Sequence, residues 1–244
     1  MSKLNTNSNA YTIIYAAVIV IIVAFLLAFV SSSLKPTQDA NVAKDKKKQI
    51  LASLNLRNLT DVEGTYAQVI TADIVYGATA EEITNDGLSA NDAGEHVNGA
   101  FLVEGKNISA ANRPLYVATV EGETKYVIPV TGAGLWGGIW GYIAINDDGE
   151  TIFGTYFSHE SETAGLGALI NEVPFQESFI GKSLHAEGSE DIALSVVKKG
   201  NEGTLSPDNY VNGITGATLT SNGVNDMLKK GIGAYTDILN SYKQ

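Results

Sequence analysis

The stretch WGYIAINDDGETIFGTYFSH, residues 140–159, decides the fold class. Two runs rich in β-branched and aromatic residues flank Asp147–Asp148–Gly149, whose acidic side chains and glycine suit a tight reversal. An antiparallel hairpin follows. PLYVATV (114–120) and KYVIPV (125–130), on either side of Glu121–Gly122–Glu123, predict a second hairpin just upstream. Further strands are expected at Val69–Tyr76, at Ala100–Val103 and over IALSVVKK (192–199), which stops at Gly200.

The last element has a different period. Val224, Met227, Leu228, Ile232, Tyr235, Ile238, Leu239 and Tyr242 fall on one face of a helix starting near Ser221. Strands followed by a helix, with no strand–helix alternation, give an α+β domain with a largely antiparallel sheet and flanking helices.

At the other end, YTIIYAAVIVIIVAFLLAFV (11–30) contains no charge. Its length suits a helix crossing the roughly 30 Å hydrocarbon layer, and it exceeds the ~7–15 residue apolar core of a cleavable signal. The chain therefore divides into an N-terminal tail (1–10), a transmembrane helix (11–30), a juxtamembrane linker with a short helix (31–56), and a domain from 57 to 244. In that short helix, KKKQILASLNL (46–56), Ile50, Leu51 and Leu54 share a face. Lys35, Lys44, Lys46, Lys47 and Lys48 follow the span and only Lys3 precedes it, a distribution that by itself favours a cytoplasmic domain.

Composition removes several chemistries. The 244 residues include no cysteine, which excludes disulfides, thiolate-held iron–sulfur clusters and flavin linked through sulfur. With three histidines (His96, His159, His185), a histidine-rich metal site is not expected. The net charge is −11; residues 1–36 hold two lysines and no acid, leaving −13 on residues 37–244. Such a domain repels nucleic acid and holds free anionic ligands poorly.

VNGITGATLTSNGV (211–224) is a bare run of small and hydroxyl residues at the helix entrance. Three uses are open. Thr220 or Ser221 could cap the helix; the free N–H groups could receive a phosphate, although the lysine of a nucleotide-binding P-loop is missing; or a threonine could act as a nucleophile. The last needs a base, and Ile214–Asn222 offers no histidine, lysine or carboxylate.

Thr215–Gly216–Ala217–Thr218, followed by LTSNGV, resembles the Asp-x-x-Ser/Thr-Gly-Ala-Thr flavinylation motif of bacterial FMN-binding membrane subunits. GAGLWGGIWGYIAI (132–145) is similar to the family's Gly-Leu-Trp strand, HESETAGLG (159–167) to its Glu-Thr-Pro-Gly-Leu-Gly loop with a histidine shortly before it, and FIGK (179–182) to its Phe-x-Gly-Lys. Asn212 stands at the motif's Asp position and Ala164 at the loop's Pro. With the single anchor, the order of these features resembles the C subunits of Na+-translocating NADH:quinone reductases. The G subunits of ferredoxin:NAD+ reductases share the motif and loop, and a membrane-tethered sensor holding a phosphate ligand noncovalently is the alternative of another class.

The resemblance implies FMN esterified to Thr218 by a flavin transferase, which would supply the base and metal that the chain lacks. Thr215, Gly216, Ala217, Leu219 and Thr220 would surround the attachment point, and Leu135 and Trp136 would pack near the flavin ring. Glu162, Thr163, Gly165, Leu166 and Gly167 would form a loop against it, while Lys182 would meet phosphate or ribityl oxygens and His159 would shape the loop. It further implies partner subunits, electron relay from NADH towards quinone, and a domain on the outer face of the bacterial cytoplasmic membrane, contrary to the lysine count.

Overall fold

The computed structural model describes residues 8–85 and 99–243; His96 lies outside them. Two compact units emerge, divided between Lys46 and Lys47. The first is formed by helix α1 (Asn9–Ser53) as far as Lys46, and it contains a window of mean hydropathy 3.2 with none of it buried. Among the described residues this helix alone is long and apolar enough to cross a membrane. Residues 31–45, read as linker, are helical as well: Pro36 is the only helix breaker there, and Lys35 pairs with Asp39 one turn on at 3.4 Å.

The end of α1 belongs to the second unit. Ile50, Leu51 and the following Leu54 are fully buried, and Trp140 Nε1 donates to Gln49 at 3.1 Å. The short helix expected at 46–56 is therefore the last turns of α1, and it forms part of the domain's core.

That core is built on a six-stranded antiparallel sheet in the order β2-β1-β3-β4-β5-β6. Its strands are β1 (Ile70–Tyr76), β2 (Glu82–Asn85), β3 (Arg113–Val120), β4 (Glu123–Ala133), β5 (Gly138–Asn146) and β6 (Ile152–His159). Both central hairpins form as the turn residues indicate. Glu121 and Gly122 take φ of 53° and 86°, the paired positive values of a two-residue reversal. At the other turn, Asp148 Oδ1 accepts from Glu150 N and Thr151 N, each at 2.8 Å.

Side chains alternate faces along each strand, and both faces are apolar. Ile128, Val130, Ile143 and Ile145 point to one face, where α4 (Thr218–Gly233) and α5 (Thr236–Tyr242) supply Val224, Met227, Leu228, Ile232, Ile238 and Leu239. Val127, Tyr142 and Ala144 point to the other, meeting Ile50, Leu51, Leu54 and, from α2 (Val62–Val69), Val62 and Tyr66. The result is an α+β sandwich with helices on both faces of the sheet.

Three expectations change. Ala100–Leu102 is a 3₁₀ turn, because Phe101 N donates to both oxygens of the buried Asp73 carboxylate at 3.2 Å and not to a neighbouring strand. The strand expected over 192–199 shrinks to β7 (Ser195–Val197), which pairs in parallel with β8 (Tyr210–Asn212). The C-terminal helix starts at Thr218 and breaks after Gly233 into α4 and α5. Gly231 and Gly233 weaken helix propensity there, and the buried Arg113 takes the Ala234 carbonyl at 2.8 Å while pairing with Asp237 at 2.7 Å.

Glycines let α4 lie close on β4. A Cβ on Gly132 would meet Met227 Cβ at 2.8 Å, and one on Gly223 would meet the Ala133 carbonyl oxygen at 2.3 Å. This close approach brings the N-terminus of α4 to the end of β4, beside the turn that carries Leu135 and Trp136.

Candidate functional site

Three segments meet there: the β4–β5 turn (134–137), the loop after β6 (160–167) and the entrance to α4. The turn closes through Gly134 N to Gly137 O at 2.8 Å and presents Leu135 and Trp136 outward, 47% and 64% exposed. Ser161 Oγ donates to Trp136 O at 2.8 Å, tying the loop to the turn.

Glu162 joins all three. It is 7% exposed; Oε1 accepts from Trp136 N at 2.8 Å and Oε2 from Thr220 Oγ1 at 2.6 Å. Gly134 and Gly167 leave room for it, since a Cβ on either would fall 2.4 and 2.3 Å from its oxygens. Burial pushes its carboxyl up, but hydrogen bonds from Thr220 and from the Trp136 and Leu135 amides outweigh that and hold it below the ordinary value. Each of its oxygens accepts a hydrogen bond from a different segment, so the carboxylate is a charged strut between them. His159 Nδ1 accepts from Glu162 N at 3.2 Å, so His159 holds the loop's first turn. Thr163 O accepts from Leu166 N and Ala168 N, and Gly165, at φ 76°, reverses the chain between them.

At the α4 entrance neither expected cap forms. Thr220 and Ser221 lie inside the helix and are buried; Ser221 Oγ accepts from Ile214 N at 2.9 Å and donates to Ala217 O at 2.9 Å. Ala217 occupies the cap position without a side-chain hydrogen bond. Gly216 has φ 82°, a conformation that glycine adopts freely. Thr218, the first helical residue, is exposed.

Thr218 borders two cavities. One, of about 210 Å3, has Leu135, Leu166, Ala217 and Leu219 among its walls, with Glu162 and Thr220. The other, of about 290 Å3, is lined by Thr215, Ser221 and Asn222 together with Lys198 and Lys199. A larger cavity of about 620 Å3 lies around Glu150, His185, Asp208 and Lys243. It is lined mainly by polar and charged residues, four of them acidic (Glu150, Glu187, Glu190 and Asp208), and His185 Nδ1 and Lys243 Nζ reach Glu150 Oε2 at 2.6 and 3.2 Å. It suits a flavin ring less well than the smaller cavities do.

The chain is similar to known proteins over this region and beyond it. The FMN-binding domain family matches residues 134–233, which span the turn, the loop and α4. The C subunit of the Na+-translocating NADH-quinone reductase from Haemophilus ducreyi is 33% identical over 239 residues, covering 94% of this chain and 91% of its own length. The chain belongs to this C-subunit family. The corresponding protein of Neisseria meningitidis serogroup B is 31% identical over 91% of this chain and 89% of its own. The crystal structure of the Parabacteroides distasonis member superposes with a TM-score of 0.75 at 34% identity, covering 84% of this chain and 96% of that one.

Within the C-subunit fold, most of the residues singled out from sequence converge. Leu135, Glu162, Thr163, Leu166, Gly167, Gly216, Ala217, Thr218, Leu219 and Thr220 line one cavity, and Thr215 lines its neighbour. Trp136 flanks them from the turn, and Gly165 shapes the loop. Lys182 does not join them: its Nζ donates to Pro207 O at 2.7 Å and lies 5.9 Å from the Tyr210 ring centre. The cations that do border Thr218, Lys198 and Lys199, were read from sequence only as the end of a strand. Their pairing on a turn held beside α4 by β7–β8 left no periodic signal.

Proposed function

We propose that this chain is the FMN-carrying, electron-relaying member of a membrane Na+-translocating NADH:quinone reductase, with the flavin phosphate esterified to Thr218. The observation that carries this reading is the placement of Thr218: an exposed hydroxyl at the head of α4, opening onto a cavity with apolar walls.

The residues present fit the group. Leu135, Leu166 and Leu219, between 42% and 58% exposed, line one opening, and Trp136, 64% exposed, follows Leu135 in the turn. An exposed apolar cluster of this kind calls for a cover, and a planar aromatic ring supplies one. A cavity of about 210 Å3 is too small to enclose a flavin, so one edge of the ring remains accessible to a redox partner. Tethering removes the affinity problem that a charge of −13 poses for a free anion.

In maturation, the Thr218 hydroxyl attacks the flavin-side phosphorus of FAD. An Oγ–P bond forms, the diphosphate P–O bond breaks, AMP departs, and the hydroxyl proton passes to a base on the transferase. Gly216 and Ala217 leave that enzyme room to close over the hydroxyl. Once bound, FMN supplies the electron chemistry. Thr218 fixes its position, Leu135, Trp136 and Leu166 exclude water from one side of the ring, and Glu162 keeps turn, loop and helix in register. In this reading α1 anchors the protein in the bacterial cytoplasmic membrane, the domain faces outward, and the remaining subunits of the complex are its partners.

Intact-mass analysis of the chain recovered from its native membrane tests the proposal. An added FMN mass on the peptide containing Thr218, absent in Thr218→Ala, is expected; an unmodified chain would overturn it.

A further inference from the structure

Thr218 stands on a divide. One of the cavities it lines has Leu135, Leu166 and Leu219 in its walls; the other holds Lys198 and Lys199 with Thr215, Ser221 and Asn222, beside Val196 and Ile214. FMN is divided in the same way, with an apolar ring at one end and a ribityl phosphate at the other. Lys198 and Lys199 follow directly after β7, and both are exposed. Neither forms an ion pair among the described residues; Lys229 and Lys230 on α4 form none either, but Lys198 and Lys199 share a cavity lining with Thr218. Lys199 acts on Glu202 only through space. Two adjacent uncommitted cations beside one hydroxyl are conspicuous in a segment carrying −13. Lys182, which the sequence pattern would have assigned to the phosphate, is engaged with Pro207 O.

We propose that Lys198 and Lys199 are the phosphate-positioning residues of this site. The phosphoryl group on Thr218 turns towards them, with Thr215 and Asn222 near the ribityl chain, and this directs the ring into the cavity of Leu135 and Leu166. A lysine ammonium serves as a mobile point charge for such a group. The inference rests on the reading of Thr218 as the attachment point, and it adds the direction in which the cofactor leaves that residue.

Amine labelling of the folded full-length protein, resolved by peptide mass, tests it. In flavin-bearing protein Lys198 and Lys199 should label several-fold more slowly than in Thr218→Ala, while Lys229 and Lys230 on α4 label at the same rate in both. Replacing both lysines by glutamine should shift the 31P resonance of the phosphodiester, and replacing both by arginine should restore it. Confirmed attachment with undiminished labelling at Lys198 and Lys199, or a 31P resonance indifferent to the glutamine pair, would overturn the inference and leave the attachment itself intact. A chain without added mass would refute the attachment reading instead.

Discussion

Thr220 Oγ1 donates to Glu162 Oε2 at 2.6 Å, joining the second residue of α4 after Thr218 to a loop 58 positions earlier in the chain. Both partners are buried. The bond fixes the face that the helix entrance shows to the loop, and so where Thr218 points.

Thr220→Val keeps the shape and removes the donor. A buried carboxylate oxygen then loses its partner, which costs about 1–3 kcal/mol. Urea denaturation should show that loss, and the Thr220→Val/Glu162→Gln pair should lose less than the sum of the single variants, because they break the same contact.

The same carboxyl sets a pH dependence. Its folded value lies below the ordinary 4.5, so its contribution to stability is complete above the unfolded value and disappears as pH falls through the folded one. Denaturation midpoints measured between pH 6 and pH 3, bounds chosen to bracket about 4.3–4.5, should fall less steeply in Glu162→Gln than in the wild type. Equal slopes would mean that Glu162 does not contribute.

Gly167→Ala tests the space behind the strut. Its Cβ would fall 2.3 Å from Glu162 Oε2 and 2.5 Å from Thr220 Oγ1, in a region where neither group can retreat without breaking the bond. A destabilisation of about 1–3 kcal/mol is expected from overpacking. Slower flavin attachment, followed by in-gel fluorescence, should accompany it.

Trp136→Ala should behave in the opposite way. The side chain is 64% exposed, so folding stability should stay within about 0.5 kcal/mol of the wild type. The absorbance and fluorescence of attached flavin should change, because a ring neighbour is gone. An unaltered spectrum would place the ring elsewhere.

Strands were legible where two periodicities agreed. In 140–159 and 114–130, alternating apolar residues and turn-forming residues point to the same hairpins, and β3–β6 follow them closely. Where the deciding contact lay far along the chain, reading failed. Phe101 is held in a 3₁₀ turn by Asp73, and the helix break at Ala234 is satisfied by Arg113, 121 residues away. Residues 31–45 lacked an apolar stripe and so resembled linker, though little in them opposes a helix. Most of the site was legible because its residues cluster in three short motifs. Glu162 was placed in the loop by resemblance, and only its burial and hydrogen bonds reveal the strut; the position of Lys198 and Lys199 depends on how a three-residue parallel pair is docked against α4.

The two apolar clusters that hold the sheet between its helices do not include Thr218. Nothing in the interior waits for a prosthetic group before it can close. On the proposed attachment at Thr218, the polypeptide reaches its native shape first and the pigment is added later to a finished surface. Under that proposal a colourless molecule is an immature one and still a folded one.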